Sequence, residues 1–258
     1  MRCLGVARQR LPLTRWRSVQ QTLRSVWGGR LFGAFESIRI LNLPHRGDRR
    51  REMLAELAKF GLADDQRVAF FSGSIAQDPG PFSSAGEHGC YLSHLALLKD
   101  ASAAGKKVLV LEDDCDFLPD AADYALPDEW DIFYGGYIAE DPDNLETSNM
   151  IGAHCMGYSP RAASAFAAYL EELLQPGFAP DALAVEQGHY QPGVNPPFDG
   201  AIVWFRRAHP EMKTVFAQVA VQRSSRSDIA SGNLLDRTMP AAAAAARKAK
   251  NWLRKRAR

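Results

Sequence analysis

The junction between an apolar run and an acidic run constrains this sequence more than any other feature. Residues 108–111 read Val-Leu-Val-Leu, and four carboxylates follow within residues 112–116. A short run that is apolar throughout is typical of a strand covered on both faces of a parallel sheet. Adjacent carboxylates repel one another, so we expect a shared cation at the carboxyl edge, where open α/β sheets bind their ligands.

The acidic run supplies candidate ligands for a hard divalent cation, Mg²⁺ or Mn²⁺, which binds carboxylates, water and substrate phosphate oxygens. Its members are Glu112, Asp113, Asp114 and Asp116. Glu112/Asp114 and Asp114/Asp116 both have the one-residue spacing that places two side chains on one side of an extended segment. Asp114 belongs to both pairs. The alternative is an acidic turn in which Asp113 or Asp116 caps the next helix.

Strands and helices are predicted to alternate up to this junction. Aliphatic and β-branched runs predict strands at residues 37–43, 67–71 and 107–111. Apolar residues at helical spacing predict helices over residues 48–60 and 86–104, each followed by a glycine. This alternation predicts an α/β fold with a mostly parallel central sheet, right-handed crossovers and a single domain.

The second half of the chain is less regular. We predict a strand at residues 130–134, a helix at 161–174 and a strand at 214–221. Residues 175–198 hold five prolines and three glycines, which predicts a long loop of the kind that forms lids or binding segments. The apolar residues 201–205 resemble a further strand.

The net charge of +1 hides an asymmetry along the chain. Residues 1–35 and 241–258 each hold seven basic residues and no acidic one, so 17 of the 31 Lys and Arg remain beside all 30 Asp and Glu. The part between the ends therefore carries −13, which disfavours nucleic-acid binding through the folded surface. We expect no nucleic-acid partner, and an acidic centre suits a metal-dependent site.

Both basic ends have an amphipathic pattern, over residues 15–31 and 241–258. Such helices lie on anionic lipid, where each basic side chain contributes about 1 kcal/mol at most. The alternatives are solvated tails and, at the N-terminus, a start codon assigned too early. No run reaches the ~20 apolar residues that span a bilayer, and residues 1–35 lack a secretory signal. Four cysteines without a CxxC pair argue against a disulfide framework or structural zinc, which makes the cytoplasm the expected compartment.

Two further motifs precede the acidic run. Residues 42–51 place an arginine cluster where the first strand meets its helix, a combination that attracts phosphate, although arginines in a first turn are often only solvated. Residues 86–94 read Gly-Glu-His-Gly-Cys-Tyr-Leu-Ser-His, and Tyr91 and His94 share one helix face. By composition alone, His94 is a packed core residue.

These motifs, taken in order, resemble the signatures of the family 25 glycosyltransferases, which include bacterial lipopolysaccharide galactosyltransferases and collagen galactosyltransferases. The first blocks are Asn42-Leu43 with Arg49, residues 86–94 and residues 111–114. Weaker later blocks are residues 153–159, Phe198-Asp199-Gly200, and Gln222 with Ser227-Asp228-Ile229. The resemblance covers residues 38–229. It departs from the family pattern at Pro44 and Met156.

The resemblance implies a GT-A-like nucleotide-sugar-binding fold and an inverting transfer of a hexose, with galactose expected, from a UDP-sugar to a glycan. By position, the family's motif for Mn²⁺ or Mg²⁺ falls on Glu112, Asp113 and Asp114. The blocks expected at the nucleotide-sugar site contain Asn42, Arg49, Ser93 and His94.

Inverting transfer also needs a base that takes the proton of the acceptor hydroxyl. We assign this role to Asp199, because it follows the proline-rich loop expected on the acceptor side. His154 and His189 are the alternatives.

The resemblance divides the chain into a basic N-terminal extension (1–35), a glycosyltransferase domain (36–236) and a basic, alanine-rich C-terminal helix or tail (237–258). The expected acceptor is lipopolysaccharide or another envelope or lipid-linked glycan, which gives the basic ends a task at the anionic inner face of the membrane. Two other functions stay open. One is a metal-dependent nucleotidyltransferase, and the other is a non-catalytic binding module.

Overall fold

A central sheet organises the structure, a computed structural model that describes residues 29–223. The strands are β1 (Ser37–Asn42), β2 (Val68–Ser72), β3 (Val108–Glu112), β4 (Cys115–Phe117), β5 (Ile132–Tyr134), β6 (Ile138–Ala139), β7 (Met150–Ile151), β8 (Cys155–Tyr158), β9 (Thr214–Phe216) and β10 (Ala220–Gln222). The helices are α1 (Gly29–Gly33), α2 (Gly47–Ala58), α3 (Ala85–Ala104), α4 (Pro160–Leu173), α5 (Ala182–Glu186) and α6 (Phe198–Ala208), with one 3₁₀ turn at Ala121–Asp123.

Six strands form the central sheet in the order β2-β1-β3-β8-β5-β9. Strands β2, β1 and β3 are parallel neighbours, as are β5 and β9. Strand β8 runs antiparallel to both β3 and β5, so it opposes the common direction of the other five. This arrangement confirms the predicted α/β class with a mostly parallel central sheet.

Strand β3 is buried on both faces, as its uninterrupted apolar sequence predicts. Its side chains alternate between two core clusters: Val108 and Val110 pack with α3, α4 and α6, whereas Leu109 and Leu111 pack with α1 and α2. Complete burial of an aliphatic side chain of this size stabilises the fold by roughly 1.5–3 kcal/mol. Two covered faces therefore hold β3 in place, and with it the acidic run that follows.

Helix α3 has strong boundary signals and carries one wall of the site. Ser84 is its N-cap and accepts a hydrogen bond from the Glu87 N–H, while Gly105 ends the helix in the left-handed conformation that glycine tolerates. The buried Tyr91 hydroxyl donates to the Leu170 carbonyl of α4 over 2.8 Å. The three helices predicted between the two basic ends are present within a few residues of their predicted bounds.

Residues 201–205 are helical, and the expectation of a strand there is wrong. They belong to α6, which begins after Pro197 and has Asp199 in its first turn. All five residues are buried, so the run lacks the polar positions that distinguish helical from strand spacing. The proline-rich segment 175–198 is also not entirely a loop, because it contains α5.

The predicted strand over residues 214–221 is divided. Its first part is β9, at the edge of the central sheet, and its second part is β10, which pairs antiparallel with β4 in a separate ladder. The pairing partner therefore changes from β5 to β4, and Gln222 lies opposite Cys115, within the acidic run. Sequence patterns do not indicate β4, β6, β7 or β8.

Core packing begins inside the predicted N-terminal extension, because Leu31 and Phe32 of α1 are fully buried. Residues 1–28 of that extension and residues 224–258, which include the block Ser227-Asp228-Ile229 and the C-terminal segment 237–258, lie outside the described residues. Both predicted terminal amphipathic helices lie outside them too, apart from the few residues shared with α1. Over residues 29–223, no helix has the length and apolar character needed to cross a bilayer.

Candidate functional site

A cavity of about 450 Å³ lies at the carboxyl ends of β1 and β3, bounded by the N-terminal half of α3. Its volume is within the range of small-molecule binding pockets. The wall contains all seven residues predicted to bind nucleotide sugar or metal: Asn42, Arg49, Ser93, His94, Glu112, Asp113 and Asp114. Four separate stretches of sequence therefore meet at one edge of the sheet.

Asp113 is held by other protein groups on both of its oxygens. Asn42 Nδ2 donates to Oδ2 over 2.8 Å, and Arg49 Nη1 donates to Oδ1 over 2.7 Å. The carboxylate thereby connects the acidic run to β1 and to the first turn of α2. These two hydrogen bonds fix Asp113 in the cavity wall. Its role as a metal ligand stays a prediction.

Asp114 has an oxygen that lacks a protein partner. Its Oδ2 accepts from Gln222 Nε2 and lies 3.3 Å from Arg49 Nη1, whereas its Oδ1 is buried with no hydrogen-bond partner among the described residues. Burial, followed by the nearby Glu112 charge, raises the pKa of Asp114. A buried oxygen without a partner is uncommon in folded proteins. The carboxylate fits a hard divalent cation, which would complete the coordination that the protein leaves open.

Glu112 faces a different part of the cavity. Its Oε1 lies 3.3 Å from His94 Nε2, and burial raises the pKa of the carboxyl group. The His94 ring stacks on Phe198 with centroids 3.7 Å apart. Burial lowers the pKa of His94 to about 3, so the imidazole is neutral at physiological pH. His94 is therefore a buried, neutral group in contact with the acidic run.

The Ser93 hydroxyl connects the loop that follows β2 to helix α3 by hydrogen bonds. It accepts from the Ser74 N–H over 2.7 Å and donates to the Gly89 carbonyl over 2.6 Å. Gly89 allows this close approach, since a β-carbon there would stand 2.8 Å from the Ser74 carbonyl oxygen. Ser93 lines the cavity, as predicted for a nucleotide-sugar residue, and its hydroxyl shapes the cavity wall.

Asp199 lies in the first turn of α6, outside the cavity lining. Its Oδ2 accepts from the Gly152 N–H over 3.3 Å and its Oδ1 from the Gly200 N–H over 2.9 Å. Burial raises the pKa of Asp199, while hydrogen bonds from the backbone N–H groups of Gly152 and Gly200 oppose that rise. The Tyr134 hydroxyl donates to the carbonyl of the same Gly152 over 2.6 Å. Asp199 is therefore near the Glu112 side of the site and is held by backbone groups.

The two alternative bases have different surroundings. His154 is buried beside Glu112, whose N–H donates to the His154 carbonyl, and its two ring nitrogens have no hydrogen-bond partner among the described residues. Burial lowers the pKa of His154. His189 is exposed, and its Nδ1 lies 2.8 Å from Asn149 Nδ2.

Sequence reasoning missed two parts of the site. The loop of residues 73–76 lines the cavity, and its position at the carboxyl end of a parallel strand was the signal that could have indicated it. Arg223 was missed as well: its N–H donates to the Asp114 carbonyl and its guanidinium pairs with Asp116 and Glu52. Arg223 and Asp116 are 107 positions apart, and no local sequence pattern indicates that they are in contact.

No protein-family model and no curated protein matches the chain. Among solved structures, the CTP:phosphocholine cytidylyltransferase of Streptococcus pneumoniae is similar at 9% sequence identity and a TM-score of 0.33. The similarity covers 84% of this chain and 80% of that chain.

Proposed function

We propose that this protein is an inverting glycosyltransferase that moves a hexose, with galactose expected, from a UDP-sugar to a glycan acceptor. One observation carries the proposal: the first three blocks that resemble family 25 glycosyltransferases, together with Gln222 of a later block, are distant in sequence and line one cavity at the carboxyl edge of the sheet. Ligand binding at this edge is the general behaviour of open α/β sheets. The cavity supports a small-molecule substrate, and the family resemblance supplies the choice of a nucleotide sugar.

The acidic run supports binding of Mn²⁺ or Mg²⁺. Asp114 would hold the cation through its buried, unpartnered Oδ1, with Glu112 or Asp113 as a second ligand. When bound, such a cation neutralises the negative charge that develops on a leaving diphosphate. Arg49 adds a positive charge beside the same carboxylates, 3.3 Å from Asp114 Oδ2.

Asp199 is proposed to take the proton of the acceptor hydroxyl. The Gly152 and Gly200 N–H groups orient its carboxylate, and the raised pKa makes it a stronger base than an exposed aspartate. The acceptor would approach from the α6 side, across the segment 175–198. If this acceptor is a lipid-linked glycan, the basic ends would hold the enzyme at an anionic membrane surface.

A release assay tests the proposal directly. Purified full-length protein is incubated with a panel of UDP-sugars and candidate glycan acceptors, with Mn²⁺ or with a chelator, and UDP and pyrophosphate are both measured. We expect Mn²⁺-dependent UDP release with one donor and no pyrophosphate. Pyrophosphate released in a parallel incubation with a nucleoside triphosphate and a phosphorylated sugar would instead indicate a nucleotidyltransferase.

A binding measurement separates an inactive homologue from an enzyme that lacks its acceptor. The melting temperature is recorded with UDP, with Mn²⁺ and with both. Stabilisation by UDP that requires Mn²⁺ supports the nucleotide-sugar site even when no acceptor has been found. No UDP stabilisation and no UDP release with any donor would leave the protein as a non-catalytic binding module.

A further inference from the structure

One turn of α3 places a thiol and an imidazole beside the carboxylate of Glu112. Cys90 and His94 are four residues apart, the spacing that puts two side chains on one helix face. Cys90 Sγ, a His94 ring nitrogen and a Glu112 carboxylate oxygen all lie within 4.8 Å of one another. All three residues also line the cavity, which gives the cluster a route for a ligand to enter.

We propose that Cys90, His94 and Glu112 form a zinc site, separate from the hard-cation site at Asp114. Thiolate and imidazole are the ligands that favour Zn²⁺, whereas Mg²⁺ and Mn²⁺ favour oxygen. Three protein ligands with one position open to a cavity are the arrangement of exchangeable zinc sites. This inference goes beyond the proposed function and does not depend on it.

The distances within the cluster suit zinc. Zinc–nitrogen and zinc–oxygen bonds of about 2.0–2.1 Å in a tetrahedral shell place the two ligand atoms about 3.3 Å apart. His94 Nε2 and Glu112 Oε1 are 3.3 Å apart, beyond the usual 2.7–3.2 Å range of an N–H···O hydrogen bond. Zinc would therefore bridge these atoms with little movement, and Cys90 Sγ, within 4.8 Å of both, would supply the third ligand.

The charges around the cluster also favour a cation. Burial raises the pKa of the Cys90 thiol, and four nearby carboxyl groups, those of Glu112, Asp199, Asp114 and Glu87, add to that rise. Each of these groups is an acid whose ionised form a cation would stabilise. A coordinated thiol loses its proton on zinc binding, so zinc would balance both the thiolate and the neighbouring carboxylates.

Glu112 can serve both proposed sites without competition for one atom. Zinc at Oε1 leaves the other carboxylate oxygen for the hard cation assigned to Asp114. The argument against structural zinc rests on the absence of a CxxC pair, and a site with a single cysteine does not need such a pair. Its ligands come from one helix and one strand end, and the chain assembles them only through the fold.

Cobalt substitution tests the proposal without nucleotide or acceptor. Full-length protein is stripped with a chelator and titrated with Co²⁺, and the near-ultraviolet thiolate-to-cobalt charge-transfer band is recorded. We expect one equivalent of Co²⁺ to produce the band and Zn²⁺ to abolish it by displacement, whereas excess Mg²⁺ leaves it unchanged. Cys90→Ser should lose the band, and Cys155→Ser, which changes a buried free cysteine outside the cluster, should keep it.

Zinc affinity provides a second readout that does not require the Cys90 variant to be stable. Glu112→Gln keeps the thiol and should weaken zinc binding by more than about 100-fold, the upper range for residues that only support a ligand. A charge-transfer band that persists in Cys90→Ser, no band in the unmodified chain, or zinc affinity unchanged in Glu112→Gln would overturn the proposal. Failure of Mn²⁺-dependent UDP binding would leave these results unaffected and would count against the proposed function alone.

Discussion

Arg49 Nη1 lies 2.7 Å from Asp113 Oδ1 and 3.3 Å from Asp114 Oδ2, so one guanidinium group contacts two adjacent carboxylates. The side chains of all three residues are largely buried. The contacts join the first turn of α2 to the segment that leaves β3. Arg49 therefore offsets part of the charge repulsion in the acidic run before any cation binds.

Removal of this guanidinium should destabilise the fold. Arg49→Met leaves buried carboxylates without their compensating charge, which costs about 3–5 kcal/mol in the free energy of unfolding. Chemical denaturation measures the loss. The double variant Arg49→Met/Asp113→Asn should recover part of it, because the second change removes one uncompensated charge and preserves the contact with Asn42. A loss below about 1 kcal/mol in the single variant would contradict this role.

Asp114→Asn should abolish stabilisation by Mn²⁺ and UDP while leaving the cation-free protein as stable as before. The substitution removes a buried carboxylate whose Oδ1 has no partner among the described residues, so the folded protein loses little. Thermal unfolding with and without Mn²⁺ measures both effects. Asp116→Asn is the matched control, since Asp116 pairs with Arg223 and should retain the Mn²⁺ response. Full retention of that response in Asp114→Asn would remove Asp114 from the cation site.

Stabilisation by Mn²⁺ alone should increase with pH. Burial raises the pKa of Glu112 and Asp114 above the ordinary carboxyl values near 4. Below the raised pKa a cation must displace a proton, so the Mn²⁺ shift in melting temperature should be small at about pH 5 and larger at about pH 8. A shift that does not depend on pH would contradict a cation site made of these carboxylates.

The same pKa shifts have the opposite sign in the cation-free protein. Between about pH 4 and the raised pKa, the folded state holds protons that the unfolded state has released. These two groups therefore lower the free energy of unfolding as the pH rises through that window. Neutral His94 has a lowered pKa and contributes with the reverse sign. Measuring the free energy of unfolding at each pH with and without Mn²⁺ separates the contribution of the two carboxyl groups from that of His94.

Asp199→Asn should slow turnover by roughly 10²–10⁴-fold while UDP binding is retained, because the amide keeps the shape of the carboxylate but cannot accept a proton. UDP release under saturating donor measures the rate, and UDP-dependent thermal stabilisation measures binding. His189→Gln serves as the control and should retain turnover, since His189 is exposed and bonded to Asn149. Full turnover in Asp199→Asn would return the base assignment to His154.

Gly89→Ala should weaken nucleotide binding through the loop at residues 73–76. The added methyl would overlap the Ser74 carbonyl and separate the loop from α3. Overpacking of this kind costs about 1–3 kcal/mol, which outweighs the gain of up to about 1 kcal/mol in helix propensity. Denaturation and UDP-dependent thermal shifts measure the two effects. Gly33→Ala, where nothing lies within 4 Å of the new atom, should keep UDP binding unchanged and should not lower the free energy of unfolding.

Local sequence signals were sufficient for the half of the fold that contains β1, β2 and β3. Each predicted element there has a marker that acts over a few residues, such as Gly105 after α3 or the apolar run of β3. The same signals placed Asn42 and Glu112 at strand ends. In a parallel sheet, strand ends meet at one edge, so the position of the cavity followed from the elements alone.

The other half depends on contacts that no local pattern contains. Residues 201–205 are buried whether they form a strand or a helix, and only packing against α4 selects the helix. Strand β8 is four residues long and contains a glycine, so its identity comes from its pairing with β3 and β5. The cluster of Cys90 with Glu112 likewise exists only after α3 has docked on the sheet.

The reversed direction of β8 affects which parts of the site can vary during evolution. Because β8 runs opposite to its neighbours, the first residue of β8 lies at the same edge of the sheet as the last residues of β1 and β3. His154, which precedes β8, therefore also lies at this edge. Substitutions or insertions between β7 and α6 can therefore remodel the side proposed for the acceptor while the half that carries Asn42 and Arg49 stays intact. Within one continuous sheet, the fold thus combines a half that can stay constant with a half that can vary.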